Sequence, residues 1–342
     1  MRRTRFRGEG AEWSVIIRRI DYMTLKHLLL GAVALSTLGM LSAASAQDYP
    51  DKTIRIMVPY KAGGLVDTSA RLVAAALNES LGQPVVVENK PGGFGMIAVE
   101  SVTTAEPDGY TLLIDTMGVA MNPSMRKAPY DPLTDLAPVG VVMSLPFAIA
   151  ANPEKGISTV ADFISVAQAN PGTLNAAVAG TSTQLATALF GLQTETEFEF
   201  VNYQGAAPAM TAVLSGEADF IALDFSNLTQ HINAGTMDGL LVTLPERSAA
   251  APEVPTAAEA GLPDFTISTW FAIFAPAGTP QEIVDLLNEK LRGAVKAPEM
   301  ASVLEKRGAI AGTMTAQEFD SFFKDEVSRW AVVVEKAGLK IE

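Results

Sequence analysis

The amino-acid sequence predicts an α/β protein made of two lobes with a ligand cleft between them, each lobe having a mostly parallel sheet. From Asp48 onward, short apolar stretches typical of strands alternate with helical stretches, which is the pattern of such domains. Two sets of alternating elements follow one another, and the second set begins after Pro138. Of the 342 residues, about 296 follow an N-terminal leader, which is enough for two domains.

The leader, residues 1–46, is interpreted as a signal peptide preceded by an N-terminal extension. Translation is expected to start at Met23, because Lys26 and an apolar run over residues 28–41 follow it in the order of a signal peptide. Small residues precede the expected cleavage after Ala46. The alternative is a longer basic start from Met1. The apolar run is shorter than the roughly 20 residues that a membrane-spanning helix needs.

Charge and residue types exclude several classes of function. The leader holds 7 of the 25 Lys and Arg residues and 3 of the 38 Asp and Glu residues, which leaves 18 basic and 35 acidic residues and a net charge of −17. Such a field repels nucleic acid and anionic lipid, so neither is expected as a partner. The lack of Cys excludes disulfides and thiol catalysis. His231, alone after the leader, is interpreted as a surface residue.

The first set of elements is a strand–helix–strand–helix–strand run. Apolar residues recur on one face of its first helix, at Val73, Leu77 and Leu81. Its second helix consists of small and apolar residues and ends near residues 107–109. The predicted elements are the strand 53–58, the turn 59–64, the helix 67–81, the strand 85–87, the loop 89–93 and the strand 111–114.

The second set has a similar construction. Ser158 and Thr159 are expected to cap its first helix, and Asn170-Pro171-Gly172 ends it. The predicted strands are 147–150, 173–178, 198–201, 219–223 and 240–243, and the helices that follow the first one are 184–192, 207–214 and 227–234.

A long apolar stretch over residues 265–276, in which Trp270 is expected in the core, leads to a helical tail. A chain that begins in one lobe, builds the other and returns needs two crossing segments, which are placed at 141–146 and 267–271 and interpreted as a hinge. The predicted tail helices are 280–295, 299–306 and 316–336. The first lobe is assigned to residues 47–142 and 271–342, and the second lobe to residues 143–270.

The turn after the first strand is the strongest candidate for a ligand site. Open α/β sheets place ligands at the carboxyl ends of their strands, where Tyr60–Gly64 lies. Gly63 and Gly64 permit a tight turn with exposed N–H groups, and the next helix adds a partial positive charge. Such a turn can hold a carboxylate without Arg, with Asp67 as the helix cap. The alternative is an ordinary Gly-rich turn.

Two corners of the second lobe offer similar groups. Residues 181–183 provide hydroxyl and N–H groups at a second strand-to-helix turn, for which the alternative is a simple Ser/Thr helix cap. Residues 203–208 form a third corner, in which Tyr203 is either a lining residue or core. The sequence lacks phosphate loops, dinucleotide fingerprints, nucleophile elbows and EF-hand spacing.

Short motifs run in order along nearly the whole mature chain. They are YPDKTIR (49–55), VPY (58–60) followed by GG (63–64), LGQPVVVENKPG (81–92), PDGYTLL (107–113), NP (122–123), YDP (130–132), DLAPV (135–139), YQG (203–205), PTAAEAGLPDF (255–265) and APAGTP (275–280). Together they resemble the periplasmic substrate-binding proteins of tripartite tricarboxylate transporters, the Bug or TctC family.

This resemblance implies a fold, a function and a location. Members of the family are non-enzymatic receptors with a Venus-flytrap fold, the type II-like periplasmic-binding-protein fold, and they hold carboxylates between their lobes. The chain is thus expected to capture a small mono-, di- or tricarboxylate in the periplasm of a Gram-negative bacterium. Its expected partners are the permease subunits of the transporter, and it is expected to act as a monomer without cofactor or metal.

The resemblance also implies which residues touch the ligand. Thr116 and Asp224 are expected at its far end, where Asp224 would suit an ammonium or hydroxyl group. Lys61 stands where the family usually has a small residue or Pro, and it either adds a charged contact or points to solvent. The implied binding residues are Tyr60, Lys61, Ala62, Gly63, Gly64, Asp67 and Thr116 in the first lobe, and Thr181, Ser182, Thr183, Tyr203, Gly205, Ala206 and Asp224 in the second.

Two alternative functions stay open at this point. A periplasmic sensor would present its closed form to a signalling receptor, and only the docking partner distinguishes it from a transport receptor. A hydrolase on the same architecture would need an activated nucleophile, for which His231 and the lack of Cys leave few candidates.

Overall fold

A ten-stranded sheet runs through the part of the chain that the structure describes, residues 49–340 of a computed structural model. The expected start at Met23 and the cleavage site after Ala46 lie outside the described residues. The strands are β1 (Ile54–Val58), β2 (Val85–Asn89), β3 (Thr111–Thr116), β4 (Leu136–Ala151), β5 (Asn175–Val178), β6 (Glu199–Asn202), β7 (Phe220–Asp224), β8 (Asp238–Val242), β9 (Ser268–Pro276) and β10 (Ile310–Ala311).

Ten α-helices accompany these strands in the described residues. Short 3-10 turns at Gly93–Gly95 and Pro153–Lys155 complete the regular structure. The helices are α1 (Leu65–Leu81), α2 (Met96–Thr103), α3 (Gly118–Met125), α4 (Val160–Ala169), α5 (Thr181–Thr194), α6 (Ala206–Leu214), α7 (Phe225–Asn233), α8 (Gln281–Ala294), α9 (Pro298–Arg307) and α10 (Ala316–Lys336).

The sheet divides into two halves, one for each lobe. The first half has the order β2-β1-β3-β9-β4, in which β1 is parallel to β2 and β3, while β9 runs antiparallel between β3 and β4. The second half has the order β6-β5-β7-β4-β8, in which β5 is parallel to β6 and β7. Each half therefore contains three parallel strands whose carboxyl ends lie on the same side.

The long strand β4 belongs to both halves of the sheet. Residues 136–146 pair with β9, residues 147–151 pair with β7, and residues 148–151 pair on their other side with β8. At the change of partner, the backbone N–H of Phe147 donates to Thr243 Oγ1 over 2.8 Å, and the Thr243 hydroxyl lies 2.7 Å from the carbonyl oxygen of Ile267. One side chain thus joins β4 to the segment that returns the chain to the first lobe.

The predicted crossing segments, 141–146 and 267–271, lie in β4 and at the start of β9. The lobe boundaries drawn from them remain predictions. The two segments are neighbours in the sheet, since Leu145 pairs with Thr269 and Met143 with Phe271. A change in the angle between the lobes would act on this pair of strands.

The buried carboxylate of Glu326 links the C-terminal helix α10 to β9. Glu326 Oε2 accepts hydrogen bonds from the indole N–H groups of Trp270 in β9, over 2.9 Å, and Trp330 in α10, over 3.1 Å. Arg329, one turn from Glu326, donates to the backbone and hydroxyl of Thr266. Trp270 is 1% exposed, which confirms its expected core position, and α10 holds the return segment in place.

Most predicted elements are present, and the differences have local causes. The helix α10 has the predicted bounds, and Thr159 caps α4 as expected, whereas Ser158 does not. The helix predicted from Asp67 begins at Leu65, and the one predicted from Gln184 begins at Thr181. The sequence reading missed α3, which has Pro123 inside it, and it predicted only the last part of β4.

No helix in residues 49–340 is both long enough and apolar enough to cross a bilayer.

The pairing of β10 with β4 makes one glycine indispensable. The N–H of Gly312 donates to the carbonyl of Val142, and a Cβ at Gly312 would lie 1.8 Å from the carbonyl oxygen of Val141. We expect Gly312→Ala to lower the free energy of unfolding by at least about 2 kcal/mol, because neighbouring backbone cannot move aside cheaply. Urea unfolding followed by circular dichroism measures this change.

Gly293→Ala is the matched control for this prediction. Gly293 lies in α8 with no heavy atom near the position of an added Cβ, so the same substitution should be neutral or slightly stabilising. Equal unfolding free energies for the two variants would contradict the close approach of β10 to β4.

Candidate functional site

Six strand-to-helix corners gather at the carboxyl ends of the parallel strands. In the first lobe they follow β1, β2 and β3, and in the second lobe they follow β5, β6 and β7. Open α/β sheets place their ligands at such ends. The predicted binding residues are distributed over five of these corners.

Four of the helices that start at these corners begin with a glycine. Each has this glycine as its N-cap, and none has an N-cap side chain that accepts a hydrogen bond from the first-turn N–H groups. Among the other six described helices, Thr159 caps α4 and Thr315 caps α10, while α3, α7, α8 and α9 lack a side-chain cap without having a glycine there. The glycines are Gly64 for α1, Gly95 for α2, Gly180 for α5 and Gly205 for α6. Uncapped first-turn N–H groups remain available to an anion.

Asp67 does not cap α1 as the sequence suggested, because the N-cap is Gly64 and Asp67 is the third residue of the helix. Its buried carboxylate accepts hydrogen bonds from the N–H of Gly63 (2.9 Å), from Arg71 (2.9 and 3.1 Å) and from the side-chain amide of Asn89 (2.9 Å). These donors, Arg71 above all, lower the pKa of Asp67 to about 2. The carboxylate therefore stays ionised and fully bonded, and it fixes the turn before α1.

The side chain of Asn89 joins the two ends of this turn. The side-chain amide of Asn89, at the end of β2, donates to the carbonyl of Tyr60 over 3.0 Å as well as to Asp67. Gly63 has φ of +90°, a conformation that favours glycine. Because the N–H of Gly63 is used by Asp67, the N–H groups left for a ligand are those at the start of α1.

A second buried carboxylate lies beneath this turn. The hydroxyl of Tyr60 donates to Asp115 Oδ1 over 3.1 Å and lies 3.0 Å from Thr116 Oγ1. Asp115 is 2% exposed, and its other short contact is with the N–H of Thr116, 2.7 Å away. Burial raises the pKa of Asp115 to about 7. Tyr60 and Thr116, both predicted binding residues, are thus brought together by a carboxyl group that the sequence reading did not select.

The predicted turn of the second lobe uses one of its hydroxyls internally. Thr183 is buried, its Oγ1 accepts from the N–H of Ala179 over 2.8 Å, and it donates to the carbonyl of Gly180 over 2.8 Å. Thr181 and Ser182 are half-buried at the start of α5. Thr183 therefore shapes the turn, while Thr181 and Ser182 present their polar groups beside the Gly180 N-cap.

In the corner that follows β6, the residues also have different roles. Gly205 is the N-cap of α6 and Ala206 its first residue, both half-buried. The side chain of Tyr203 packs on the core of the second lobe, and its hydroxyl donates to Glu217 over 2.9 Å. Glu217 follows the far end of α6, so the hydroxyl of Tyr203 is engaged away from the N-cap.

Thr116 and Asp224, the two residues expected at the far end of the ligand, both lie against β9. Thr116 pairs with Phe271, and Asp224 accepts a hydrogen bond from the hydroxyl of Thr269 over 2.9 Å. Burial raises the pKa of Asp224 to about 6. The two residues therefore meet neighbouring positions of the strand that links the lobes.

A cleft of about 500 Å³ separates residues of the first lobe from residues of the second. Thr181 is the one predicted binding residue that lines it. Its first-lobe wall consists of Phe94, Met96, Arg126 and Lys127, and its second-lobe wall consists of Gly180, Thr181, Gln184 and Asn202. The added Cβ of Gly95 would lie 3.2 Å from Pro59, so this wall adjoins the turn that follows β1.

Sequence reasoning missed Phe94 and Arg126, which form part of this wall. The guanidinium carbon of Arg126 lies 3.8 Å from the centre of the Phe94 ring. The Gly92-Gly93-Phe94-Gly95 segment lacks the spacing of a dinucleotide fingerprint, so its glycines alone do not indicate a site. Its position after a predicted strand is the available signal, since it makes the segment a strand-to-helix corner like the others.

Neither a metal cluster nor a histidine lies at the six corners within the described residues. Within residues 49–340, no group of three or more His, Cys, Asp or Glu side chains is placed to hold a metal ion. His231 lies near the end of α7, where its Nδ1 is 3.3 Å from the hydroxyl of Thr236. This arrangement pairs the imidazole with a hydroxyl at the helix end, outside the six corners.

Comparison with known proteins places this architecture in a family. The sequence pattern of the tripartite tricarboxylate transporter family receptor, TctC, matches residues 69–339. Protein BugT of Bordetella pertussis is 34% identical over 321 residues, which cover 91% of this chain and 97% of that protein.

Solved structures agree with the sequence comparison. R. palustris Rpa4515 with adipate is 33% identical, with a TM-score of 0.68 over 85% of this chain and 99% of that one. The periplasmic binding protein BugD is 30% identical, with a TM-score of 0.66 over 86% of this chain and 100% of that one. The chain therefore belongs to the tripartite tricarboxylate transporter family of receptors, and it has the two-lobed fold of the periplasmic binding proteins.

Proposed function

We propose that this receptor captures a small carboxylate between its two lobes and delivers it to the membrane permease of a tripartite transporter. Membership of the receptor family makes it a solute-binding protein. The carboxylate ligand and the permease partner are proposed in addition to this family role. No chemical step is assigned to the chain.

The observation that carries this proposal is the set of helix N-termini at the carboxyl ends of the strands. The starts of α1 and α5, at Gly64 and Gly180, have first-turn N–H groups without a side-chain acceptor. Their partial positive charge suits a carboxylate. These groups act locally, so the acidic composition of the chain does not oppose them at short range. The relative Rpa4515, solved with adipate, supports a carboxylate ligand.

The site needs a rigid turn and movable lobes. Asp67, with its charge compensated by Arg71, holds the turn before α1 in one conformation, so little order has to be imposed when the ligand binds. The lobes are joined by β4 and by the segment that leads into β9. Closure about these strands would bring the N-termini of α1 and α5 to opposite sides of the same carboxylate.

Export to the periplasm is part of the proposal. BugD is a periplasmic binding protein, and it covers nearly the same part of this chain as the other relatives. The pattern of residues 23–46, a basic start followed by an apolar run and small residues, is that of a signal peptide.

Gly64→Val should abolish stabilisation by carboxylates, because a branched side chain at the N-cap crowds the first-turn N–H groups of α1. Gly64 has φ of −76°, and an added Cβ would meet only the carbonyl of Lys61, at 3.7 Å, so the fold should tolerate the change. A carboxylate at 100 times its Kd should stabilise the wild type by about 2.7 kcal/mol. A thermal-shift screen of mono-, di- and tricarboxylates measures the effect.

Gly63→Ala provides the comparison for this experiment. With φ of +90° at Gly63, Ala should lower the stability of the free protein by about 1 kcal/mol, whereas Gly64→Val should leave it nearly unchanged. If Gly64→Val responds to carboxylates as the wild type does, the ligand does not use the start of α1.

The protonation state of Asp115 should determine how the affinity for carboxylates depends on pH. Because its pKa is raised to about 7, the group is charged at pH 8 and mostly neutral at pH 6, so carboxylate affinity should increase as the pH falls between these values. The groups that face it are Tyr60 and Tyr130, which stay neutral in this range. Asp115→Asn should remove most of this change in isothermal titration calorimetry and leave a smaller one near pH 6, where Asp224, whose pKa is raised to about 6, also titrates.

The same substitution should change the pH dependence of stability. A carboxyl group whose pKa is higher in the folded than in the unfolded protein binds more protons when folded, so its contribution to stability is lost as the pH rises from about 4 to about 7. Asp115→Asn should flatten this decline. Asp67 acts below that window, since its lowered pKa removes stability only as the pH falls toward about 2. Asp325→Asn, at an exposed site on α10, is the charge-matched control.

A further inference from the structure

The first-lobe wall of the cleft carries an arginine that stacks on an exposed aromatic ring. Arg126 follows the end of α3, and its guanidinium carbon lies 3.8 Å from the centre of the Phe94 ring. Phe94 is 71% exposed, although it is one of the large apolar side chains. Both residues line the cleft of about 500 Å³.

Phe94 has a backbone conformation that is energetically unfavourable for a bulky residue. Phe94 has φ of +56°, which bulky residues rarely adopt, and such strain is kept where the surroundings impose it. Asn122, on α3, donates from its side-chain amide to the carbonyl of Phe94 over 3.0 Å. Arg126 lies one helical turn after Asn122. The same end of α3 therefore fixes the backbone of Phe94 and places a cation on its ring.

The charge of Arg126 has no counterpart among the described residues. No carboxylate of residues 49–340 forms an ion pair with it, although four of the other six arginines in this range have one. Its Nε atom is buried without a hydrogen-bond partner, as is that of the ion-paired Arg329. In a chain with 35 acidic residues after the leader, a cation that is left unpaired in a cleft needs another explanation. A ligand anion would supply the missing charge and acceptors.

The opposite wall adds no competing charge. Gly180, Thr181, Gln184 and Asn202 are neutral, and three of them offer polar side chains. A planar guanidinium that is held by an aromatic ring suits a carboxylate, because it can donate two parallel hydrogen bonds. Lys127 lies beside it as a second, more mobile cation.

We propose that Arg126, positioned by Phe94, binds a second anionic group at the far end of the ligand, so that the cleft selects dicarboxylates over monocarboxylates of the same length. This inference rests on the proposed carboxylate function, in which helix N-termini hold the first carboxylate. Arg126 is the specificity-determining residue, and Phe94 is a positioning residue that acts through it.

The test compares three acids with the same six-carbon backbone by isothermal titration calorimetry. Adipate ends in a second carboxylate, hexanoate in a methyl group and 6-aminohexanoate in an ammonium group. The wild type should bind adipate most tightly. Arg126→Gln should weaken adipate binding by about tenfold to a hundredfold and leave hexanoate binding nearly unchanged.

Charge reversal gives a result that a purely structural role would not give. Arg126→Glu should bind 6-aminohexanoate more tightly than adipate and so invert the preference of the wild type. Phe94→Leu keeps an apolar side chain but removes the ring, so the preference for adipate over hexanoate should shrink without being lost. Arg307→Gln removes the same charge from an exposed site on α9 and should leave all three affinities unchanged.

The outcomes separate this inference from the proposed function. Equal losses for adipate and hexanoate in Arg126→Gln, or a wild type that does not prefer adipate, would overturn the distal site while the carboxylate receptor stands. Binding of none of the acids by the wild type would overturn both. Circular dichroism melting curves that match the wild type would exclude a folding defect as the cause of any loss.

Discussion

The ion pair between the buried carboxylate of Asp67 and the half-exposed Arg71 underlies the candidate binding turn of the first lobe. A carboxylate placed just inside a helix N-terminus should weaken the attraction of that end for another anion. Here Arg71 compensates its charge, and Asn89 and the N–H of Gly63 occupy its remaining acceptor positions. Four hydrogen bonds reach the buried carboxylate of Asp67, so the turn is held firmly. The carboxylate of Asp67 therefore fixes the backbone of the turn. The N–H groups at the start of α1 that it does not use keep their partial positive charge.

The sharing of β4 between the lobes constrains how the cleft can change. Each lobe has its own parallel strands, but the sheets of both lobes include one continuous strand, β4. A rotation of one lobe must therefore be absorbed by twisting β4 and its neighbour β9, where the register already shifts near Gly140 and Val141. Asp224 and Thr116 lie against β9, so two of the predicted binding residues and the linkage between the lobes depend on the same strand.

The sequence predicted the features that depend on local chemistry. The strand β1, its glycine turn and the amphipathic α10 follow from short-range patterns of apolar residues, glycines and caps. The full length of β4 was hidden because Pro138, Gly140 and Pro146 interrupt it, and such residues normally end strands. In the folded chain, shifts of register absorb two of these interruptions.

The missed parts of the site depend on contacts between distant residues. No local sequence pattern predicts that Asn89 donates a hydrogen bond to Asp67. Nor does one predict that Arg126 stacks on Phe94, which lies 32 positions earlier in the chain. The resemblance to a family directed attention to the two turns that its members share. The wall between those turns is made by residues from separate elements, and only the folded chain shows which side chains form it.

The two tryptophans among the described residues, Trp270 and Trp330, donate to the same oxygen of Glu326 beside the strands that join the lobes. The remaining tryptophan, Trp13, lies among the N-terminal residues that precede them. Tryptophan fluorescence of residues 49–340 thus originates from one buried, carboxylate-linked pair, and neither indole lines the cleft that carries Phe94. A change in emission on adding solute would register movement of the lobe linkage, and it would remain silent about contact with the solute itself.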